Sequence, residues 1–156
     1  MVQEHPMNAS SWFELGVKQQ ENEREQKAIQ ALNRAVALDP GHLPAWLALG
    51  VSNTNDGNRM GTYTAIREWV MRNGQYADAV KAYWARVGEE SGEEGTAKGF
   101  ERLLGCLIAM AQSVSAGGVD ADMQIALAIL LNTIEVSRVC CERVPHVLTG
   151  FRMVGL

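Results

Sequence analysis
A chain of 156 residues, 47% of them hydrophobic, is long enough to bury a core, most simply as one domain. Its net charge of −4 argues against nucleic acid as the main partner, because phosphate binding needs a basic face. Three cysteines, two of them adjacent at Cys140 and Cys141, make no disulfide framework and point to a reduced, cytosolic setting.

The first helix is expected to be capped by Ser10 or Ser11 and to run to about Gln20, with a polar turn over Gln19 to Gln26. Nothing before it reads as a secretory signal, since Met1 to Ser11 is polar and contains Pro6. A second helix covers roughly Glu25 to Leu38. Asp39-Pro40-Gly41 turns the chain, and a third helix runs from Leu43 to about Asn53. Thr54 to Asn58 forms a tight corner before a fourth helix, about Arg59 to Arg72, which Asn73-Gly74 ends. Gln75 to Arg86 reads as a short helix with Tyr76, Ala79, Val80 and Tyr83 on one face. Val87 to Gly99 holds four glycines and four glutamates and reads as an acidic loop. Phe100 to Val114 is amphipathic, Ser115 to Gly118 a linker, and Asp120 to Asn132 a strong helix. The apolar run Ile125 to Leu131 is seven residues, too short to span a bilayer. A further helix should follow Ile134, but Pro145 falls in its interior at a cost of about 3 kcal/mol, so residues 134–156 read as a divergent tail.

A repeat organises this succession. Trp12, Leu15 and Gly16 return as Trp46, Leu49 and Gly50, each 34 residues on. Between the copies lie Ala28, Leu32, Ala35 and Pro40. A period of 34 with W-x2-L-G, small and apolar residues and a closing Pro is the tetratricopeptide (TPR) signature. Trp12 and Leu15 share a helix face, and Gly16 lets the second helix approach. Ala28, Leu32 and Ala35 follow the i, i+4, i+7 spacing of a buried stripe. The expected fold is all-α, a solenoid of TPR helical hairpins with an irregular central part. Residues 1–8 are an N-terminal extension and 9–74 two TPR units. Residues 75–119 are a degenerate helical segment with the acidic Gly-rich loop. Residues 120–133 are the first helix of a further unit, with Leu127-Ala128 standing where Leu15-Gly16 does.

No residues indicate an enzyme, and no cofactor or metal is expected. His5, His42 and His146 are scattered, no metal-ligand spacing occurs, and Cys106 lies on an apolar helix face. The informative residues face the concave side, which the first helix of each hairpin lines. By repeat position these are Ser10, Phe13, Val17, Gln20 and Glu21, then Pro44, Leu47, Val51, Thr54 and Asn55. Asn55 offers an amide donor and a carbonyl acceptor, enough to bracket one peptide unit of an extended ligand. Asp56 adds an acidic spot for a basic ligand side chain. The alternative is that both merely form the corner and cap the next helix.

Trp12-Phe13-Glu14-Leu15-Gly16, the turn Gln20-Glu21-Asn22-Glu23, and Lys27-Ala28-Ile29-Gln30-Ala31-Leu32 resemble the C-terminal TPR region of the peroxisomal targeting signal 1 receptor, fungal type. The resemblance continues through Trp46 to Asn58, Arg67-Glu68-Trp69, Asp120-Ala121-Asp122 and Leu130-Leu131-Asn132-Thr133. It implies a scaffold that encloses a C-terminal Ser-Lys-Leu-type tripeptide for import of peroxisomal matrix proteins. It also implies a cytoplasmic receptor that cycles to the peroxisome. Thr54, Asn55 and Asp56 match the family's Thr-Asn-acid corner, Val51 an apolar groove position, and Asn132 an Asn of a later repeat. Ile134 to Leu156 resembles nothing in the family, and the two repeats that would hold the ligand's carboxylate have no counterpart. The expectation is therefore a partial, binding-impaired receptor whose tail comes from an altered reading frame or an unspliced intron. It would engage the import machinery only with the receptor's N-terminal region present. Two rivals are a generic TPR module of the co-chaperone type and a truncated solenoid that self-associates. The first wants Lys and Asn where this chain has Phe13, Leu47, Val17 and Val51.

Overall fold
The computed structural model describes residues 8–88, 95–114, 118 and 120–149. Among them are seven α-helices, one 3-10 turn and no strand. Helix α1 spans Ala9–Glu21, and its cap is Asn8 rather than Ser10 or Ser11: the Ser10 N–H donates to Asn8 Oδ1 at 2.9 Å. An Asn side chain two residues before Ser10 supplies the cap, satisfying an orphan N–H at the helix start. Helix α2, Glu25–Leu38, packs antiparallel to α1, with Ala28, Leu32 and Ala35 wholly buried as their spacing requires. The two helices touch at Gly16, where a Cβ would lie 2.6 Å from Leu32 Cγ.

Trp46 Nε1 donates to Pro40 O at 2.8 Å and so pins the turn before helix α3, Leu43–Asn55. That helix runs through Thr54 and Asn55, which were expected in the corner; the turn itself is Asp56 to Asn58, with Gly57 at φ 76°. Only a residue without Cβ takes that angle freely. Asn58 then caps helix α4, Arg59–Arg72, accepting the Gly61 N–H at 3.0 Å. Thr62 stands in the small position of this second hairpin and is fully buried. Its hydroxyl donates to Asn58 O, so the polar atom carries no burial penalty.

A 3-10 turn, Gly74–Tyr76, precedes α5, Ala77–Val87, so the helix expected from Gln75 starts two residues later. Helix α6, Ala97–Ser113, starts three residues before Phe100, because Thr96 Oγ1 accepts the Gly99 N–H and caps it there. The expected acidic loop is therefore shorter at both ends, and its residues 89–94 lie outside the described residues, as do 115–117 of the expected linker. Helix α7, Ala121–Thr149, begins at Asp120, whose Oδ1 accepts the Met123 N–H at 2.7 Å. No break follows Thr133. Residues 134–139 contain no Gly, Asn or Pro to turn the chain, and the helix continues through Pro145. Residues 150–156 of the expected tail lie outside the described residues.

Helix α3 lies against both α1 and α2, and α7 lies in the same way against both α3 and α4. Two cores result. Leu32, Ala35, Val36, Ala45, Leu49 and Ala65 join the two hairpins. A larger core unites α3 through α7 around Trp69, Phe100 and Leu107, with Tyr63 edge-on to Phe100 at 5.3 Å. Leu47, expected on the concave surface, belongs to this second core and is only 6% exposed, because the helices beyond the second hairpin close over it.

Tyr76 ties the far ends of this core together: its hydroxyl donates to Asp120 Oδ2 at 2.5 Å, 44 residues away. Burial, then the bond to Asp120, pushes its pKa from the ordinary 10 up to about 12. The fold holds the neutral phenol more tightly than the unfolded chain does. Its contribution is complete below pH 10 and is lost as pH rises from about 10 to about 12. Urea midpoints measured across that window should fall for the natural chain and fall less steeply for Tyr76→Phe.

Candidate functional site
The last turn of α3 is tied to both helices of the first hairpin. Gln20 of α1 reaches it with one amide, donating to Ala48 O at 2.8 Å and Ser52 Oγ at 2.6 Å. Asn55 Nδ2 donates to Glu25 Oε1 at 2.9 Å, and Gln26 Nε2 donates to Asp56 Oδ1 at 2.6 Å. Beneath them Asn53 is buried, its amide bonded to Leu49 O and its Oδ1 accepting from Asn58 Nδ2 at 3.0 Å. These bonds hold the end of α3 to both helices of the first hairpin.

The structure brings Val51, Thr54, Asn55 and Asp56 together on this helix end. Val51 is half-buried against the larger core. The Thr54 hydroxyl donates to Gly50 O at 2.7 Å and lies 3.1 Å from Thr62 Oγ1, so it is engaged in holding α3 to α4. Asn55 and Asp56 are exposed. Asn55 keeps its Oδ1 and one N–H unbonded among the described residues, the pair of groups that a peptide backbone can meet. Asn132 is not part of this group: it is exposed on α7 and shares no hydrogen bond with the other four.

Beside Asp56 opens a cleft of about 450 Å³ whose walls include Arg24, Glu25, Gln26 and Lys27. Glu25 Oε2 is buried in this region without a hydrogen-bond partner. The cleft lining is mixed in charge, with Glu23, Glu25 and Asp56 beside Arg24 and Lys27. Sequence reasoning missed Glu25 because an acid in the first turn of a helix is explained by the helix dipole alone. Nothing local says that it reaches across 30 residues to Asn55. Gln20 could have been found, since it was already on the concave side by repeat position.

Among the described residues no cluster of His, Cys, Asp and Glu could hold a metal ion, and no helix is long and apolar enough to cross a membrane. Cys106 is wholly buried, and burial pushes its thiol up to about 12, so it packs as a small protonated side chain.

No protein-family model matches the chain. It is 33% identical over 131 residues to the peroxisomal targeting signal receptor of Yarrowia lipolytica. It is 31% identical over 137 residues to the PEX5-related protein of Homo sapiens, and 30% over 136 residues to the peroxisomal targeting signal receptor of Komagataella phaffii. These matches cover 83%, 84% and 86% of this chain, but only 21%, 21% and 23% of the relatives. The chain therefore spans about a fifth of the length of the curated relatives it matches, and most of it is similar to that fifth.

Proposed function
We propose that this homologue of one part of the peroxisomal targeting signal receptors is a partial receptor of that kind, a TPR scaffold that meets C-terminal Ser-Lys-Leu-type signals of peroxisomal cargo. The single observation that carries this is the α3 corner, where Asn55 stands with free amide groups beside Asp56 and Glu25. Asn55 brackets a backbone unit of an extended peptide, Val51 offers an apolar contact, and the two carboxylates face the basic residue. Asn132 contributes from α7 in a separate contact. Such a scaffold serves import of matrix proteins from the cytoplasm, cycling to the peroxisome where the receptor's docking region accompanies it. The cations of the adjoining cleft, Arg24 and Lys27, share it with Glu23, Glu25 and Asp56, so a terminal carboxylate is gripped poorly and binding is weak.

The test is an amide-shift titration of the whole chain with a peptide ending in Ser-Lys-Leu, its amidated twin and an acidic chaperone-tail peptide. Shifts should cluster at Val51 to Asp56 with a Kd of about 1 mM, a free energy of roughly −4 kcal/mol. Amidation should change little, Asn55→Ala should abolish the shifts, and the acidic peptide should leave the corner unmoved. Micromolar, carboxylate-dependent binding would overturn the partial-receptor reading. Shifts that avoid the corner would overturn the site.

A further inference from the structure
Away from the α3 corner, the outer side of the first hairpin carries an open groove of about 640 Å³ between α1 and α2. Its apolar walls are Trp12, Leu15 and Ala31. Moving 34 residues along the repeat turns these into Trp46, Leu49 and Ala65. In the second hairpin that same groove is filled, because Trp46, Leu49 and Ala65 close on Leu32, Ala35 and Val36 of α2. The first groove thus has the shape of a helix seat, and no described helix sits in it.

Its rim differs from the filled seat in charge. Lys27 and Arg34 border it, where the second hairpin has Gly61 and Glu68. Both cations are exposed, and neither has an ion pair or hydrogen bond among the described residues. Gln19, also in the wall, buries its Oε1 with no partner. Asn53, its counterpart one repeat on, has its Oδ1 paired with Asn58 Nδ2. A helix that fits must therefore bring an apolar stripe, carboxylates and a side-chain N–H donor.

Helix α7 presents that set outward. Ile125, Ala128, Asn132 and Val136, at i, i+3, i+7 and i+11, share its exposed face. Ile125 and Val136 are 42% and 54% exposed, and α7 supplies three of the seven large apolar side chains left in solvent among the described residues. Asp122 and Glu135 flank the stripe, and Asn132 supplies the amide. We infer that the α1–α2 groove of one copy of this chain takes the exposed face of α7 of a second copy. The two surfaces are different, so the contact is head-to-tail: each added copy leaves one groove and one α7 face open, and growth does not close.

Sedimentation equilibrium of the full chain tests this. The average mass should rise with concentration without levelling at a dimer, and 1 M salt should weaken association about tenfold, because screening removes the charge contribution. Lys27→Glu/Arg34→Glu destroys the groove and Ile125→Glu/Val136→Glu destroys the α7 face; each variant alone should stay monomeric. All four positions are exposed, so both should keep the helical circular dichroism of the natural chain. Should either lose it, the corresponding double serine variant replaces it in the same mixture. Mixed in equal amounts, the two variants should form a discrete dimer and nothing larger, since one groove and one α7 face survive between them. A natural chain that stays monomeric at 0.5 mM (roughly the top of the range for weak interfaces), variants that still associate, or a mixture that stays monomeric would each overturn the inference.

Discussion

Replacing Trp69 by Ala should lower the unfolding free energy by about 3–5 kcal/mol, the usual loss when a buried aromatic is truncated. Trp69 is the largest fully buried side chain, 1% exposed, and belongs to the core that holds α3 through α7. Against a total stability of roughly 5–15 kcal/mol, such a loss is a large share of what keeps the chain folded. The indole has one further peculiarity, an Nε1 that is buried without a hydrogen-bond partner. An unpaired buried donor costs about 1–3 kcal/mol, so Trp69→Phe should destabilise far less than truncation does. Urea denaturation of the two variants gives the ordering directly. If Trp69→Phe proves as damaging as Trp69→Ala, the packing around this ring is not as described.

The second large effect belongs to the contact inside the first hairpin. Leu32→Ala should cost about 2–5 kcal/mol, since the side chain is wholly buried and meets a glycine. Gly16 offers no methyl to slide into the space, so the void stays open. Gly16→Ala alone should also destabilise, by about 1–3 kcal/mol, because its Cβ would come 2.6 Å from Leu32 Cγ, a branch point that cannot swing aside like a chain end. The two substitutions together should cost clearly less than the two losses added, since the new methyl enters the new cavity. Gly50, the same position one repeat on, is a useful contrast. Its Cβ would meet the terminal Cδ1 of Ile66 at 2.9 Å, which can give way. Gly50→Ala should therefore be the milder change. Strict additivity at Gly16 and Leu32 would mean that the hairpin is not closed there.

The two hairpins were legible in the sequence because close helix contact demands a few residue types at fixed spacing. Trp12, Gly16, Ala28 and Leu32 meet that demand without help from distant residues. The same holds for the helix spans 25–38 and 59–72, bounded by Asp39-Pro40 and Asn73-Gly74. What could not be read depended on partners far along the chain. Leu47 looked like a concave-surface residue by repeat position, and only the packing of α7 and the helices near it makes it core. Helix α7 was expected to stop near Thr133 because a repeat would turn there, but the repeat's demand weighs less than the absence of any turn-forming residue. At the α3 corner Asn55 and Asp56 could be singled out by chemistry, and the alternative that they only shape a turn was equally physical. The coordinates place Asn55 in the helix and bind it to Glu25, a partner that no local pattern announces.

The hydrogen bond between Tyr76 and Asp120 has an evolutionary consequence. The polypeptide between them comes back to its starting point, and most of that ring is helix: α5 and α6 bury Tyr83, Phe100, Leu103 and Leu107 in the shared core, so packing sets its circumference. An insertion within either helix would displace buried side chains, at a cost of about 1–3 kcal/mol. Descendants of this gene should therefore keep the lengths of α5 and α6, while the bond holds the start of α7 against the turn that follows α4.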